Sequence, residues 1–236
     1  MVKQFRPRLS ETEYFLLQKY REQNNNILII PDLHAPFTLD GFLDFCKEVE
    51  IEYNCSRVVF IGDIIDNHYS SFHNSDPDLE GGGRELDKAI EIIKDYHDSF
   101  PNADVCLGNH DIIANRKAFA GGVSSRWVKD IGEVLNTPSW TYSEEYIIDG
   151  ILFTHGTNRQ ARQRCLQEGI SVAQGHYHSK SYVEYYQHRE GLKFALQLGC
   201  GVDRESLAFA YGRNFAVQQI NVGVIKNGVP IIIPYA

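Results

Sequence analysis

Seven residues of metal-binding type fall in five short clusters, and each cluster directly follows a run that reads as a strand. The clusters are Asp32-Leu33-His34, Gly62-Asp63-Ile64-Ile65-Asp66, Gly108-Asn109-His110-Asp111, Thr154-His155-Gly156 and Gly175-His176-Tyr177-His178. The first four follow apolar runs at 27–30, 57–61, 103–107 and 151–153, and the fifth follows 171–174. Side chains delivered from adjacent strand ends can converge on one point. Two carboxylates, one amide and four imidazoles converging there would hold two divalent cations, so the pattern demands a fold that brings these strand ends together.

The pattern between the clusters supplies such a fold. Strand 27–31 leads to a helix near 39–52, where Phe42, Phe45, Cys46 and Val49 share a face. Strand 57–62 is followed by a polar excursion over 67–84 and a helix near 85–99. Strand 103–108 leads to shorter helices near 111–119 and 124–135. This β-α-β-α-β series implies right-handed crossovers and a largely parallel sheet. The second half changes character. Asp149-Gly150 reads as a tight hairpin between 146–148 and 151–154, and Asn227-Gly228 as another. A helix over 158–168 and strands near 171–175, 181–187, 192–199 and 216–225 complete the series. The antiparallel strands of this half suggest a second sheet packed on the first. Residues 1–26 read as an N-terminal helical extension, in which Tyr14, Leu17 and Tyr20 could face a main domain over 27–236.

Composition narrows the setting. No apolar run approaches the ~18 residues that span a bilayer, and the first residues lack a hydrophobic signal core. The five cysteines are odd in number and widely spaced, with no CxxC, which suits a reducing cytoplasm. A net charge of −8 disfavours a protein that grips duplex DNA through a basic face.

The chemistry of the clusters is more specific. Asp32 and His34, two apart, share a face of an extended chain. Gly62 permits close backbone approach at Asp63, whose carboxylate can bridge two cations. Asn109 offers an amide oxygen, and His155, His176 and His178 offer imidazoles. Nitrogen and oxygen ligands without thiolate suit Mn²⁺, Fe or Zn²⁺ and admit Mg²⁺. Two cations ~3.5–4 Å apart activate water and clamp both the attacking and the leaving oxygen of a phosphoryl transfer. Any one cluster alone reads as a turn or a helix cap. Five in this order carry the inference.

The series D-x-H, G-D-x-x-D, G-N-H-[DE], H-G and G-H-x-H over 27–178 resembles the calcineurin-like metallophosphoesterases. The resemblance implies an α/β fold, a two-sheet β-sandwich flanked by helices, with the metal pair at the strand ends. It implies one metal on Asp32, His34, Asp63 and His178, and another on Asp63, Asn109, His155 and His176. His110 matches the family's non-ligand histidine, which contacts substrate and protonates the leaving oxygen, and Asp66 matches the acid that orients it. Asn67 stands where many members have an arginine on the phosphate. The protein phosphatases also lack the G-H-x-H ending and have Glu at the position of Asp111, so that subgroup fits poorly.

Candidates for substrate contact are Asn67, His68 and His73 on the excursion, and Arg159 after His155. Arg162 and Arg164 read as a solvated helix face. Residues 115–127 could wall the cleft, with Phe119 or Trp127 stacking on a base, although core packing is the expected use of both rings. Gly199-Cys200-Gly201 reads equally as a strand end facing the cleft or as a structural turn. The expected activity is hydrolysis of a phosphate ester through a hydroxide bridging two cations, Mn²⁺ first among them. The acidic balance favours a small phosphorylated substrate, a nucleotide above others. The alternatives are a nuclease or phosphodiesterase acting on single-stranded nucleic acid, and a metal-stabilised scaffold for a protein partner. No membrane association is expected, and the oligomeric state is left open.

Overall fold

Alternation along the first strands decides the layering. In β1 (Ile27–Ile30) and β2 (Arg57–Phe60), side chains point to opposite faces in turn. Leu28, Ile30, Val58 and Phe60 face α1 (Phe42–Glu52) and α2 (Gly82–Ser99), meeting Phe42, Cys46, Val49, Ala89, Ile93 and Tyr96. Ile27, Ile29, Val59 and Ile61 face the other way, onto Ile151, Phe153, Ala173 and Leu196 of a second sheet. Both faces of these strands are buried, which is why the runs are continuously apolar. The computed structural model describes residues 10, 12, 25–70, 81–206 and 216–236. His73 and most of the helical extension expected over 1–26 lie outside the described residues.

The parallel series continues through β3 (Asp104–Cys106), α3 (Ile113–Ala120), the short α4 (Ile131–Val134) and β4 (Thr141–Ser143). β5 (Glu145–Ile148) and β6 (Ile151–Thr154) form the hairpin across Asp149-Gly150. After α5 (Ala161–Glu168) come β7 (Ser171–Gln174), β8 (Tyr182–His188) and β9 (Gly191–Gln197). The second sheet has the order β5-β6-β7-β9-β8. Helix α5 covers its outer face, where Ala161 and Cys165 meet Leu152, Val172 and Ala195. The result is the expected α/β architecture, two sheets face to face with helices outside.

Three details differ from the sequence pattern. The last hairpin, β10 (Asn221–Lys226) and β11 (Val229–Pro234), joins the first sheet, with β10 antiparallel to β1. Strand β1 opens the parallel series and would otherwise leave one edge unpaired. The uninterrupted burial of β10 from Asn221 to Ile225 suits an interior position there. The second sheet is mixed, because β6–β7 and β7–β9 are parallel. The helix expected over 124–135 is a 3-10 turn, Ser125–Trp127, followed by α4. None of the turn's residues is buried, so no tertiary packing extends it into a helix. Among the described residues no helix is long and apolar enough to cross a membrane, and the five cysteines are free.

Phe60 is the packing centre of the helix-side core, with its ring 4.7 Å from Trp140 and 6.1 Å from Tyr96 between centroids. Phe60→Ala should lower the free energy of unfolding by ~3–5 kcal/mol. Urea denaturation measures this, and a loss below ~1 kcal/mol would show that the surrounding rings do not depend on it.

Candidate metal centre

The pairing of β1 with β2 does not stop at the strand ends. Leu33 and His34 donate their N–H groups to the Asp63 carbonyl at 3.0 and 2.9 Å, and Asp66 N–H donates to Ala35 O at 3.0 Å. The two loops that carry Asp32, His34, Asp63 and Asp66 are thereby zipped side by side. His34, Asp63 and His176 take left-handed backbone angles, φ 47°, 47° and 74°. Such angles are uncommon outside glycine, although Asp and His adopt them more readily than most. Gly62 lies at φ 94°, and a Cβ there would stand 2.7 Å from His155 Cβ and 2.8 Å from Gly108 N. Its bare backbone is what lets the loops of the two sheets touch. A Cβ on Gly175 would collide with Asp32 Oδ1.

All seven residues come together. Asp32, His34 and His178 present ligand atoms mutually within 4.8 Å, as do Asp63, His155 and His176. His178 Nε2 lies 3.1 Å from Asp32 Oδ2. His155 Nε2 lies 3.0 Å from Asp63 Oδ2, 3.1 Å from Asn109 Oδ1 and 3.0 Å from His176 Nδ1. Asp63 Oδ2 is also 3.6 Å from His34 Nε2. One carboxylate oxygen therefore sits where the two groups meet.

The residues fit a pair of cations. His155 Nδ1 is 3.1 Å from the Ile61 carbonyl, which fixes the proton on Nδ1 and turns the Nε2 lone pair toward two oxygens and a nitrogen. A cation among these atoms converts repulsion into ligation. Ligand atoms at ~2.1 Å from one cation, at right angles, lie ~3.0 Å apart, matching this cluster. His34 repeats the logic. Its Nδ1 is 2.5 Å from Asp66 Oδ1, and its Nε2 is buried without a hydrogen-bond partner, facing Asp63.

The same crowding shifts the titrations. Burial alone would raise the carboxyls of Asp32 and Asp63, but His155 and its imidazole neighbours hold both below the usual range. Burial opposes charge on His155, yet the Asp63 and Asp32 carboxylates raise it to about 10, so a cation bound among them would have to take the place of the Nε2 proton. Burial lowers His34, with the hydrogen bond that its Nδ1–H donates to Asp66 acting against it. His176 is lowered by burial and by His155. His110 is raised, because Asp63 and Asp66 outweigh its burial.

Asp66 holds two histidines in two ways. The resemblance implies a carboxylate that orients His110. The carboxylate instead bonds His34, and the Asp66 backbone carbonyl takes His110 Nδ1–H at 2.5 Å, leaving the carboxylate 3.6 Å from that ring. The tight β1–β2 loop pairing puts His34 nearer than His110. Asp63 Oδ1 meanwhile accepts the His110 backbone N–H at 2.7 Å.

Two buried acids to which the pattern gives no role, Asp111 and Glu85, support the loops. Asp111 accepts N–H bonds from Ile64 and Ile65 on Oδ1, at 3.0 and 3.3 Å, and from Gly108 on Oδ2 at 2.8 Å. Burial and the nearby Asp63 push its carboxyl up to about 7. Its signal in the sequence is an acid three residues past a strand-ending glycine. Glu85 accepts the N–H groups of His68 and Tyr69 at 2.5 and 2.9 Å, pinning the start of the excursion to α2. Nothing local to Glu85 marks it, because its partners are in a different loop.

The substrate candidates fare unevenly. Asn67 is half-buried and donates from Nδ2 to the His110 carbonyl at 3.0 Å, so it braces the His110 loop. His68 is buried, edge-on to Phe37, and so does not reach the cleft as expected; the Glu85 clamp on its backbone turns it inward. Arg159 lines an open cleft of about 940 Å³ together with Asn109, Ile112, Arg116, Thr157 and His176, and bonds Gln167 at 2.5 Å. Arg162 is exposed and stacks 4.3 Å above Tyr182. Arg164 is not a solvated residue; it is half-buried between Glu145 and Glu168, at 2.6 and 2.8 Å. Phe119 and Trp127, expected in the core, are 86% and 84% exposed. Of α3 only Ile113 is buried, so the segment stands away from the body and offers these rings no core to enter. Gly199-Cys200-Gly201 continues in an extended, strand-like path rather than turning: Cys200 is buried and bridges Asp32 and Ile220 in parallel, and Gly201 N–H donates to the Asp32 carbonyl at 2.8 Å.

Among solved structures the chain is similar to Yfce, a phosphoesterase from E. coli, at 13% identity over 89% of this chain and 92% of that chain, with a TM-score of 0.43. It is also similar to the nuclease MPE from Pseudomonas putida, at 11% identity over 88% and 86%, TM-score 0.41. A third likeness is to Vacuolar Protein Sorting 29 from Cryptosporidium parvum, at 13% identity over 89% and 96%, TM-score 0.42. No curated protein matches the chain. The family model for calcineurin-like phosphoesterases matches residues 26–204, the span that contains all five clusters. The chain belongs to the calcineurin-like phosphoesterase family.

Proposed function

We propose that the protein hydrolyses a phosphate ester, such as that of a nucleotide, with two divalent cations held between its sheets. The observation that carries this reading is the position of Asp63 Oδ2, 3.0 Å from His155 Nε2 and 3.6 Å from His34 Nε2. Asp32, His34, Asp63 and His178 would hold one cation, and Asp63, Asn109, His155 and His176 the other. When bound, such a pair, with Mn²⁺ the first candidate, activates water and offsets the charge that develops on phosphate.

The remaining work falls to the chain's own groups. His110 is pinned through Nδ1 to the Asp66 carbonyl, which leaves Nε2 to hand a proton to the departing oxygen. Asp63 and Asp66 favour the charged ring and so keep that proton at hand. Asn67 fixes the His110 loop through its carbonyl. Arg116 and Arg159 line the cleft beside Asn109, where guanidinium groups suit phosphate oxygens. The cleft's size suits a nucleotide. A scaffold role would leave the placement of His110 beside the ligand groups without a use.

Three variants test the assignment. Asn109→Ala should bind about one cation per chain in place of two and lose turnover of p-nitrophenyl esters, while its urea transition stays cooperative. Two cations and wild-type rates in this variant would remove the mechanism. His110→Ala should keep both cations and lose ~10²–10⁴-fold in kcat/KM, more for alkyl esters than for p-nitrophenyl esters. An equal loss on both would sink the proton-donor role. Asp111→Asn places an amide N–H₂ against backbone donors; metal affinity should weaken by ~10–100-fold, as for other groups that orient ligands. Calorimetric titration reads this, and unchanged affinity would mean the loops hold without it.

A further inference from the structure

We infer that residues 113–128 form a platform for single-stranded nucleic acid, so that the ester hydrolysed is a linkage in a strand or at its end. This rests on the phosphoesterase reading above and names its substrate class. The segment contains Arg116, Lys117 and Arg126 and no Asp or Glu, in a chain whose net charge is −8. It also holds the two most exposed aromatic rings among the described residues, Phe119 and Trp127. Cations interleaved with open aromatic faces match a polyanion whose bases are unpaired: the cations track phosphates and the rings stack on bases.

Placement ties the segment to the site. Ile112 and Arg116 line the cleft that also contains Asn109 and His176. Ile112, Arg116 and Phe119 follow helical spacing from the N-cap of α3, so one stripe runs from that cleft outward along the helix. Asn115, Phe119 and Val123 then line a second hollow of about 430 Å³, closed on its far side by Ser125 and Val128 where the chain doubles back. Val123 N–H on the Ala118 carbonyl, at 2.8 Å, fixes that reversal. Phe119 stands ~10 Å farther along the helix than Ile112. A mononucleotide with its phosphate at the metal cluster would leave this second hollow unused, whereas the next residues of a strand would lie over it. Duplex DNA keeps its base faces stacked and would not engage the rings.

The test uses the full chain, loaded with metal, and a fluorescent oligothymidylate with phosphorothioate linkages, which resists hydrolysis. Anisotropy should show binding of the single strand with steep salt dependence. A duplex of the same length and thymidine monophosphate should bind about tenfold more weakly or worse. Phe119→Ala and Trp127→Ala should each weaken strand binding about tenfold, and Trp127→Phe, which keeps a flat ring, should restore most of it. In hydrolysis, both alanine variants should lower kcat/KM for an unmodified oligonucleotide about tenfold more than for bis(p-nitrophenyl) phosphate. Trp140 is buried, so quenching of the exposed tryptophan by the strand gives a second, activity-independent signal. Strand binding indifferent to both alanine variants, or a duplex or monophosphate bound as tightly as the strand, would overturn the inference. So would sedimentation showing that the alanine variants dissociate a dimer, which would assign the face to a second copy. If strand binding responds as described while no ester is hydrolysed, the platform stands and the phosphoesterase reading fails. If the small diester is hydrolysed without strand binding, the phosphoesterase reading stands and the platform fails.

Discussion

Asp63 has to satisfy three neighbours with two oxygens. Oδ1 takes the His110 backbone N–H, and Oδ2 faces the imidazoles of His155 and His34, which arrive from different sheets. The sheets must therefore approach closely at this end of the sandwich, and the approach is possible because Gly62 has no side chain. Apolar packing between the sheets, from Ile29, Val59 and Ile61 against Phe153, Ala173 and Leu196, holds them at that separation. Hydrophobic burial has no preferred direction. Its role here is to set the spacing at which a directional cluster of polar groups can form.

Such a cluster is costly in isolation. Asp32, Asp63, His34 and His155 are all buried, and removing charged groups from water is expensive unless they are paired. Three residues of the cluster also hold left-handed backbone angles. Arrangements of this kind persist where the surroundings over-determine them, and they concentrate at functional sites. The over-determination is visible in the outer groups. Asp66 bonds His34, Asp111 gathers three backbone N–H groups from two loops, and the Ile61 carbonyl orients His155. Each leaves the inner atom of a ligand-type side chain aimed at the same small volume.

The region beyond the cluster is built differently. The sandwich is packed on both faces of its strands, whereas α3 and the turn after it bury Ile113 and little else. A helix this short gains little stability from its own hydrogen bonds. Its start is anchored in the Gly108–Asp111 loop, and its tip is exposed. On the proposed reading, the over-determined body would carry the chemistry and a projecting element the selectivity, a division common where a rigid scaffold presents a variable loop.

The residue pattern alone was enough to place the strands that carry the clusters, the helices between the early ones, and the set of residues that meet. Apolar runs and their two-residue alternation report burial on both faces, and a ligand-type residue directly after such a run has little freedom in where it goes. Glycine at 62 likewise announces a close approach whatever the partner. Other outcomes depended on elements far apart in the chain. The Asp66 carboxylate bonds His34, and its backbone carbonyl rather than its side chain holds His110, because the β1 and β2 loops run alongside each other, which no spacing reveals. The hairpin at Asn227-Gly228 was legible, but its attachment to β1 was not, since a hairpin's local sequence does not name its neighbour. Phe119 and Trp127 read as core rings because large aromatics usually are. Only the assembled fold shows that α3 projects from the body, because exposure is a property of what lies opposite a side chain and not of the side chain itself.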